Sequence, residues 1–300
     1  MCNHTCMGGS RENLGGSMTE NNQGMLYVVA TPIGNLDDLS PRAQRTLAEV
    51  ELIAAEDTRH TSILLSRFAI RTPLISLHDH NEAQKTPKLV EKLLAGISMA
   101  LVSDAGTPLI SDPGFNLVRA ARAAGVRVIP IPGACALIAA LSASGLPTDR
   151  FVFEGFLSAK TMARKKQLAD LATELRTLVF YESIHRLKGC LSDMAQILGG
   201  ERHGVIAREL TKLHEDFRAG MLAELVKQIE SNSFTTKGEV VLIVAGATSS
   251  KIAEVSMDMD RILKALLTAV PVKQAVVLAA KITGLSKNQL YQRALELSKK

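Results

Sequence analysis

The sequence predicts an α/β protein of two lobes followed by a small, basic, helical C-terminal domain. Three observations carry that expectation. The first is length: 300 residues and 32.3 kDa exceed what one hydrophobic core comfortably organises, which points to about two domains. The second is alternation. Short apolar runs of strand length recur between helical patterns, and alternation with crossovers of that length builds a largely parallel sheet. The third is a change of pattern from Asp258 onward, where strand-like runs cease.

The elements follow in order. Residues 1–24 are rich in Gly, Ser, Asn and Glu and lack the apolar run of a secretory signal, so a disordered tail is expected there. In the first lobe, 25–147, strands are expected at Leu26–Thr31, Leu52–Ala55, Leu74–Leu77, Met99–Ser103 and Val126–Ile131. Ser40-Pro41 reads as an N-cap followed by proline at the first helical position, opening a helix through Val50. Asn81–Ala95 places Leu89, Val90, Leu93 and Leu94 on one stripe, with Gly96 to close the helix. Helices are also expected at Phe115–Ala124 and Ala134–Ala143.

Gly145-Leu146-Pro147 breaks the pattern and marks the boundary to a second α/β lobe, 148–250. Its expected strands lie near Phe151–Glu154, Leu178–Glu182, Gly204–Arg208 and Val240–Ala245, and its helices near Lys160–Leu175, Ile184–Leu198 and Met221–Ser231. Thr235–Glu239 reads as a turn entering the last strand. The third section, 251–300, reads as three short helices broken near Pro271 and near Gly284-Leu285-Ser286, with Ser286 capping the last. The spacing of the last two fits a helix-turn-helix, and equally a plain helical hairpin.

Composition narrows the function. The 46% hydrophobic and 22% charged content is ordinary for a globular chain and excludes disorder of the whole. No apolar stretch is long enough to span a membrane, the nearest, Val126–Leu146, being broken by Arg127, Pro130, Pro132 and Gly133. The net charge of +5 resides entirely in residues 251–300, which hints at a polyanionic partner or, as plainly, a solubilising end. Four cysteines make no disulfide framework in a chain of this size, so a reducing cytoplasm is expected. Cys2, His4 and Cys6 lack a fourth ligand, and His78-Asp79-His80 lacks a third, so no metal site is expected.

In a parallel α/β sheet, ligands bind beyond the carboxyl ends of the strands. Four strand ends here carry Gly, Pro or clustered charge: Pro32–Leu36, Glu56–His60, Ser103–Gly114 and Pro132–Ala134. In the longest, Gly106 and Gly114 let the backbone approach a ligand, Pro108 and Pro113 stiffen it, and Asp104 stands at the strand end, where it serves either a ligand or a turn. Dinucleotide, P-loop and nucleophile-elbow fingerprints are absent. A hydrolase built from Ser103, His78 and Asp104 has no elbow to support it. In the second lobe, Tyr181–Arg186 and Arg208–Lys212 mix acids, bases and hydroxyls at strand ends, either as ion pairs or as a cleft lining.

Seven ordered blocks, Thr31–Asp38, Ala54–Thr61, Leu77–Glu82, Val102–Gly114, Phe180–Arg186, Ala207–Lys212 and Lys237–Glu239, resemble the ribosomal RNA small subunit methyltransferase I family of the tetrapyrrole-methylase superfamily. The resemblance covers residues 25–300 and makes Met25 a candidate natural start. It implies two α/β lobes with S-adenosylmethionine in the cleft between them, usually a homodimer. It also implies 2′-O-methylation of one cytidine of 16S rRNA, at the decoding centre of the assembled small subunit. Porphyrin-precursor relatives usually begin the long loop with Gly-Asp-Pro; here it reads Ser-Asp-Ala-Gly, which favours the RNA-modifying branch.

Carried over by the resemblance, Pro32, Asp104, Ala105, Thr107, Ile110, Ala134, Cys135, Tyr181, Ala207 and Leu210 match the cofactor pocket. Removing the hydroxyl proton would help the transfer, and the candidate bases are the Glu56–Asp57 pair first, then Glu182 and Glu209. The competing reading of Asp57 is a helix cap. Arg59 and His60 are expected to hold substrate phosphate, and Lys273, Lys281, Lys287 and Arg293 to hold rRNA. The alternatives are a porphyrin-precursor C-methyltransferase and a non-catalytic RNA-binding assembly factor.

Overall fold

The computed structural model describes residues 23–231, 238–248, 259–283, 285 and 287–298. The expected tail with Cys2, His4 and Cys6, most of the Thr235–Glu239 turn, and the Gly284 and Ser286 break lie outside the described residues.

The first lobe is a five-stranded, all-parallel sheet in the order β3-β2-β4-β1-β5. Its strands are β1 (Leu26–Val29), β2 (Leu52–Ala55), β3 (Leu74–Ser76), β4 (Met99–Val102) and β5 (Val128–Ile131). Helices α1 (Pro41–Glu49), α2 (Thr58–Arg67), α3 (Glu82–Leu94) and α4 (Phe115–Ala123) make the crossovers, and α5 (Ala136–Ala143) leads out of the lobe. Every residue of the central β4, Met-Ala-Leu-Val, is buried, as expected for a strand covered on both faces. Ser40 caps α1 by accepting a hydrogen bond from Ala43 N, with Pro41 at the first position.

The second lobe is a five-stranded sheet in the order β6-β7-β10-β8-β9. Its strands are β6 (Phe151–Phe156), β7 (Thr177–Ser183), β8 (His203–Arg208), β9 (Asp216–Met221) and β10 (Glu239–Val244). Only β6 and β7 run parallel; β10 lies antiparallel between β7 and β8, and β8 pairs antiparallel with β9. Helices α6 (Thr161–Asp170), α7 (Ile184–Leu198) and α8 (Leu222–Glu230) accompany this sheet. Leu168, Leu187, Leu191, Met194, Leu222 and Leu225 from them bury one face of it. Strand β9 was not expected: Asp-Phe-Arg-Ala-Gly-Met lies at a sheet edge, none of its residues is fully buried, and its alternation of Phe217, Ala219 and Met221 is short and set among two charges and a glycine.

The opposite face of the second sheet is covered by α5 of the first lobe. Leu137, Ala140 and Leu141 share one core with Val179, Val205, Ala207, Val241 and Ile243. The two lobes are therefore fastened through a common apolar layer, and the cleft between their strand ends has a fixed floor. Past residue 258, helices α9 (259–267), α10 (Val272–Thr283) and α11 (Lys287–Ser298) pack around Leu263, Val276, Ala279, Leu290 and Ala294. No described helix is long and apolar enough to cross a membrane.

Candidate active site

The strand ends of the first sheet build one wall of the cleft. Beyond β1, Thr31 forms a two-way backbone bridge with Gly106, through Thr31 N to Gly106 O at 2.9 Å and Gly106 N to Thr31 O at 3.1 Å. That bridge folds the long loop after β4 back across the sheet edge. The loop then turns through left-handed backbone at Gly106 (φ 83°), Leu109 (φ 73°), Ser111 (φ 70°) and Gly114 (φ 121°). Two of these are not glycines, and such conformations are retained where surrounding structure enforces them, often at functional sites. The buried Glu82 supplies part of that enforcement. Its Oε1 accepts from Asn116 N at 2.7 Å and Leu117 N at 3.1 Å, capping α4 where the loop ends.

Carboxylates crowd this wall. Asp104 N donates to Glu56 Oε2 at 3.3 Å, and Asp104 Oδ1 accepts from Asp57 N at 2.9 Å. Burial pushes the Glu56 carboxyl above its ordinary range, and the nearby Asp104, Asp79 and Asp57 push the same way. Asp112 is pushed up to about 6, first by burial and then by Glu56, Asp104 and Asp79, although a hydrogen bond with Ser103 opposes the shift. No cluster of three metal-ligating side chains occurs among the described residues.

The second lobe supplies the facing wall. Tyr181 reaches across to α5, its hydroxyl oxygen accepting from Leu137 N at 3.1 Å; burial holds its proton on well above the ordinary tyrosine range. Glu182 is buried, and Arg186 Nε at 2.7 Å and Ser183 N at 2.7 Å both donate to its Oε1, while its Oε2 has no hydrogen-bond partner among the described residues. Lys212 bridges Glu209 at 2.9 Å and Glu239 at 3.4 Å. Between the walls lies a cavity of about 410 Å³, within the size of a small-molecule site. Glu56, Asp104 and Asp112 line one side, Phe156, Tyr181 and Leu210 the other.

Comparison with known proteins agrees with this architecture. Residues 25–226 match the family model described as Tetrapyrrole (Corrin/Porphyrin) Methylases, and residues 253–298 match the RsmI C-terminal HTH domain. The chain is 54% identical over 274 residues to the ribosomal RNA small subunit methyltransferase I of Pseudomonas aeruginosa, covering 91% of this chain and 97% of that one. This chain belongs to the ribosomal RNA small subunit methyltransferase I family. The Haemophilus influenzae member is 52% identical over 273 residues, covering 91% of this chain and 96% of its own. Among solved structures, the methyltransferase CobJ superposes with a TM-score of 0.55 at 21% identity, over 75% of this chain and 95% of its own. A uroporphyrin-III C-methyl transferase from Thermus thermophilus, complexed with S-adenosyl homocysteine, superposes at 0.52 and 17% identity, over 74% of this chain and 97% of its own. These two likenesses concern the fold.

Within the family's fold, nine of the residues singled out by sequence meet in the cavity: Glu56, Asp104, Ala105, Thr107, Ile110, Cys135, Tyr181, Glu182 and Leu210. Pro32, Ala134 and Ala207 stand just outside its lining. Ala134 offers its carbonyl to Thr107 Oγ1 at 3.0 Å, and Ala207 is 1% exposed in the shared core. Three of the expected residues have side-chain partners of their own. Asp57 caps α2 through Arg59 N at 2.8 Å and grips the Arg59 guanidinium at 2.7 Å. Those bonds hold its carboxyl far below the usual range, and the part the structure shows for it is the cap of α2. Glu182 is a buried partner of Arg186 through Oε1.

Arg293 is the third. It spans Asp260 and Glu296 at 2.6 Å each, knitting the C-terminal helices together, whereas Lys273, Lys281 and Lys287 are exposed and unpaired with any described residue. Arg59 is exposed but shares its charge with Asp57, and His60 is exposed outside the cavity lining. Asp112, Phe156 and Glu239 were not among the candidate site residues from the sequence, and all three line the cavity. For Asp112 the available signal was its place on the same loop as Asp104.

Proposed function

We propose that this chain transfers a methyl group from S-adenosylmethionine to the ribose 2′-hydroxyl of a cytidine in 16S rRNA, at the decoding centre of the small ribosomal subunit, acting in the cytoplasm as a homodimer. The observation that carries the reading is the interlobe cavity itself. Three carboxylates, Glu56, Asp104 and Asp112, line one side, and the sulfonium and ammonium groups of the donor are cations.

The residues present fit that donor. Ile33, Leu210, Val241 and the ring of Tyr181 supply apolar area for an adenosine. Gly106 brings the loop backbone against the pocket, where an added Cβ would press on Ile33 Cγ2 at 3.3 Å. When bound, S-adenosylmethionine supplies a methyl group on an excellent leaving group. The chain's part is to align that methyl with the incoming oxygen, exclude water and accept the hydroxyl proton. Glu56 is the proposed acceptor: it lines the cavity, and burial raises its affinity for a proton. Asp112 stands beside it as a second carboxylate of similar character. Asp104 is the proposed partner of the donor's cationic or ribose groups. The exposed Lys273, Lys281 and Lys287 are proposed to contact rRNA phosphate.

Calorimetry with S-adenosylmethionine, and mass mapping of 16S rRNA from cells lacking the chain, test the reading. Heat of binding and the loss of one ribose methyl group are the expected results. A silent titration together with an unchanged methylation map would overturn it.

A further inference from the structure

Strand β6 is irregular where it passes the cavity. Its pairing with β7 runs from Phe151↔Thr177 to Phe153↔Val179, then resumes at Gly155↔Phe180 and Phe156↔Tyr181. Glu154 is the extra residue of a bulge, and Gly155 takes left-handed backbone (φ 61°). Along a regular strand, residues three apart face opposite sides of the sheet. The inserted residue cancels one step of that alternation. As a result Phe153 and Phe156 both meet the Tyr181 ring edge-on, at centroid distances of 4.8 and 5.7 Å.

The two phenylalanines have different surroundings. Phe153 packs against the core shared by the lobes. Phe156 lines the cavity and is 56% exposed. Other aromatic rings are exposed too, but Phe115 lies under the Arg119 guanidinium and Tyr291 belongs to the C-terminal helices, and neither lines the cavity. The bulge also sits where the lobes touch, since a Cβ on Gly155 would stand 3.0 Å from Ser111 Oγ of the first lobe. The irregularity therefore brings an uncharged aromatic surface to the cleft, opposite the carboxylates.

We propose that Phe156 is the stacking platform for the base of the nucleotide whose ribose is modified. The inference rests on the rRNA reading above. A ribose hydroxyl enters a cleft of this kind when its nucleotide is splayed away from its neighbours, and an aromatic ring replaces the stacking it loses. The wall of Glu56, Asp104 and Asp112 repels phosphate, so at this point the nucleotide has to be held by a contact without charge. Tyr181 fixes the edge of the Phe156 ring, and the ring remains mostly uncovered.

The test compares Phe156→Ala, Phe156→Leu and Phe156→Tyr. It measures kcat/KM on small subunits from cells lacking the modification, and the Kd for S-adenosylhomocysteine by calorimetry. Phe156→Ala is expected to lose about 5- to 150-fold in kcat/KM, the range for one base–aromatic stack. Phe156→Leu, which keeps apolar bulk, is expected to lose nearly as much, and Phe156→Tyr to stay within about twofold of the parent by the same stacking argument. Kd for S-adenosylhomocysteine should hold across the series. A parallel loss of S-adenosylhomocysteine affinity would instead assign the ring to the donor's adenine and overturn the proposal. So would a Phe156→Leu variant as active as the parent. If the parent chain neither binds S-adenosylhomocysteine nor methylates the subunit, the underlying reading fails before any variant is compared.

Discussion

The two walls of the cleft handle charge in opposite ways. In the second lobe every acid facing the cavity is compensated: Glu182 by Arg186, and Glu239 with Glu209 by Lys212. In the first lobe, Glu56, Asp104 and Asp112 converge with no cation among their hydrogen-bond partners in the described residues, and Asp57, one step away, has taken Arg59 for itself. Crowded carboxylates raise one another's proton affinity. A site that tolerates this gains a stronger proton acceptor and an attraction for a cation. The paired wall provides shape, and the unpaired wall provides chemistry.

The largest expected effect lies on the unpaired wall. Glu56→Gln keeps the shape and removes the proton acceptor, and should lower kcat by about 10²- to 10⁴-fold with the donor still bound. Its neighbour gives the contrast: Asp57→Asn should retain most of its turnover, because Asp57 serves as a cap. Single-turnover methylation of purified subunits reads both. Equal losses would show that the two acids act as one unit and would erase the distinction drawn between them.

Next comes the paired wall. Glu182 has a side chain only 1% exposed, so Arg186→Met would strand a carboxylate in the core. Breaking such a pair from one side is expected to cost about 3–5 kcal/mol. The double variant Glu182→Gln with Arg186→Met should recover much of it. Denaturant titrations of Arg186→Met, Glu182→Gln and the double variant measure the cycle. A single variant as stable as the double would mean that Glu182 finds another partner.

The third effect is a pH dependence with a defined sign. Asp112 has a folded value of about 6, above the ordinary 3.8. Between those values the folded chain holds a proton that the unfolded chain has released. Its contribution to stability is thus greatest below about pH 4, falls as pH rises through 6, and stays low above. Asp112→Asn should raise stability at pH 7 by about 1–2 kcal/mol, less than the full shift implies because solvent screens this partly exposed group, and flatten this slope. The donor-binding side runs oppositely. Protonating the cluster removes negative charge, so affinity for a cationic donor should weaken as pH falls through about 6. Melting and calorimetry across pH 5–8 check both signs, and matching slopes for parent and Asp112→Asn would detach the effect from this residue.

The same contrast sorts the cations of the C-terminal helices. Arg293 is spent on Asp260 and Glu296, whereas Lys273, Lys281 and Lys287 are exposed. Replacing those three lysines with glutamine should flatten the logarithmic salt dependence of subunit binding by about 0.7–0.9 per lost phosphate contact. Arg293→Gln should lower the stability of the helices and change that slope little. An unchanged slope in the triple variant would remove these helices from the phosphate interface.

What could be read from sequence follows the range of the interactions involved. Strand–helix order, the Ser40 cap and the Asp104 loop were legible because turn residues and apolar periodicity are local. The antiparallel setting of β10 was not, since Glu239–Val244 reads the same whichever neighbour it pairs with. Nor was the fate of charges. Asp57 and Glu56 are adjacent in the chain, and only the fold decides that one binds Arg59 while the other meets Asp104. The bulge at Glu154 is invisible for a similar reason, as it exists only relative to the register of β7.

The smallest effect tests whether the paired wall is as passive as its electrostatics suggest. Lys212 does two things at once. Its ammonium bridges Glu209 and Glu239, and its stem lies so close over Gly34 of the first lobe that an added Cβ there would collide with it. The ion pairs are partly open to water, with the Lys212 side chain 30% and Glu239 77% exposed, so solvent screens them and they contribute about 0–1 kcal/mol. The stem contributes by packing, which any flexible apolar chain reproduces. Lys212→Met should therefore change stability by less than about 1 kcal/mol and leave kcat within about twofold. Lys212→Ala, which also removes the stem, should cost more than Lys212→Met. Should Lys212→Met instead lower kcat tenfold with stability intact, the ammonium would be acting on substrate, and the division between a wall of shape and a wall of chemistry would have to be redrawn.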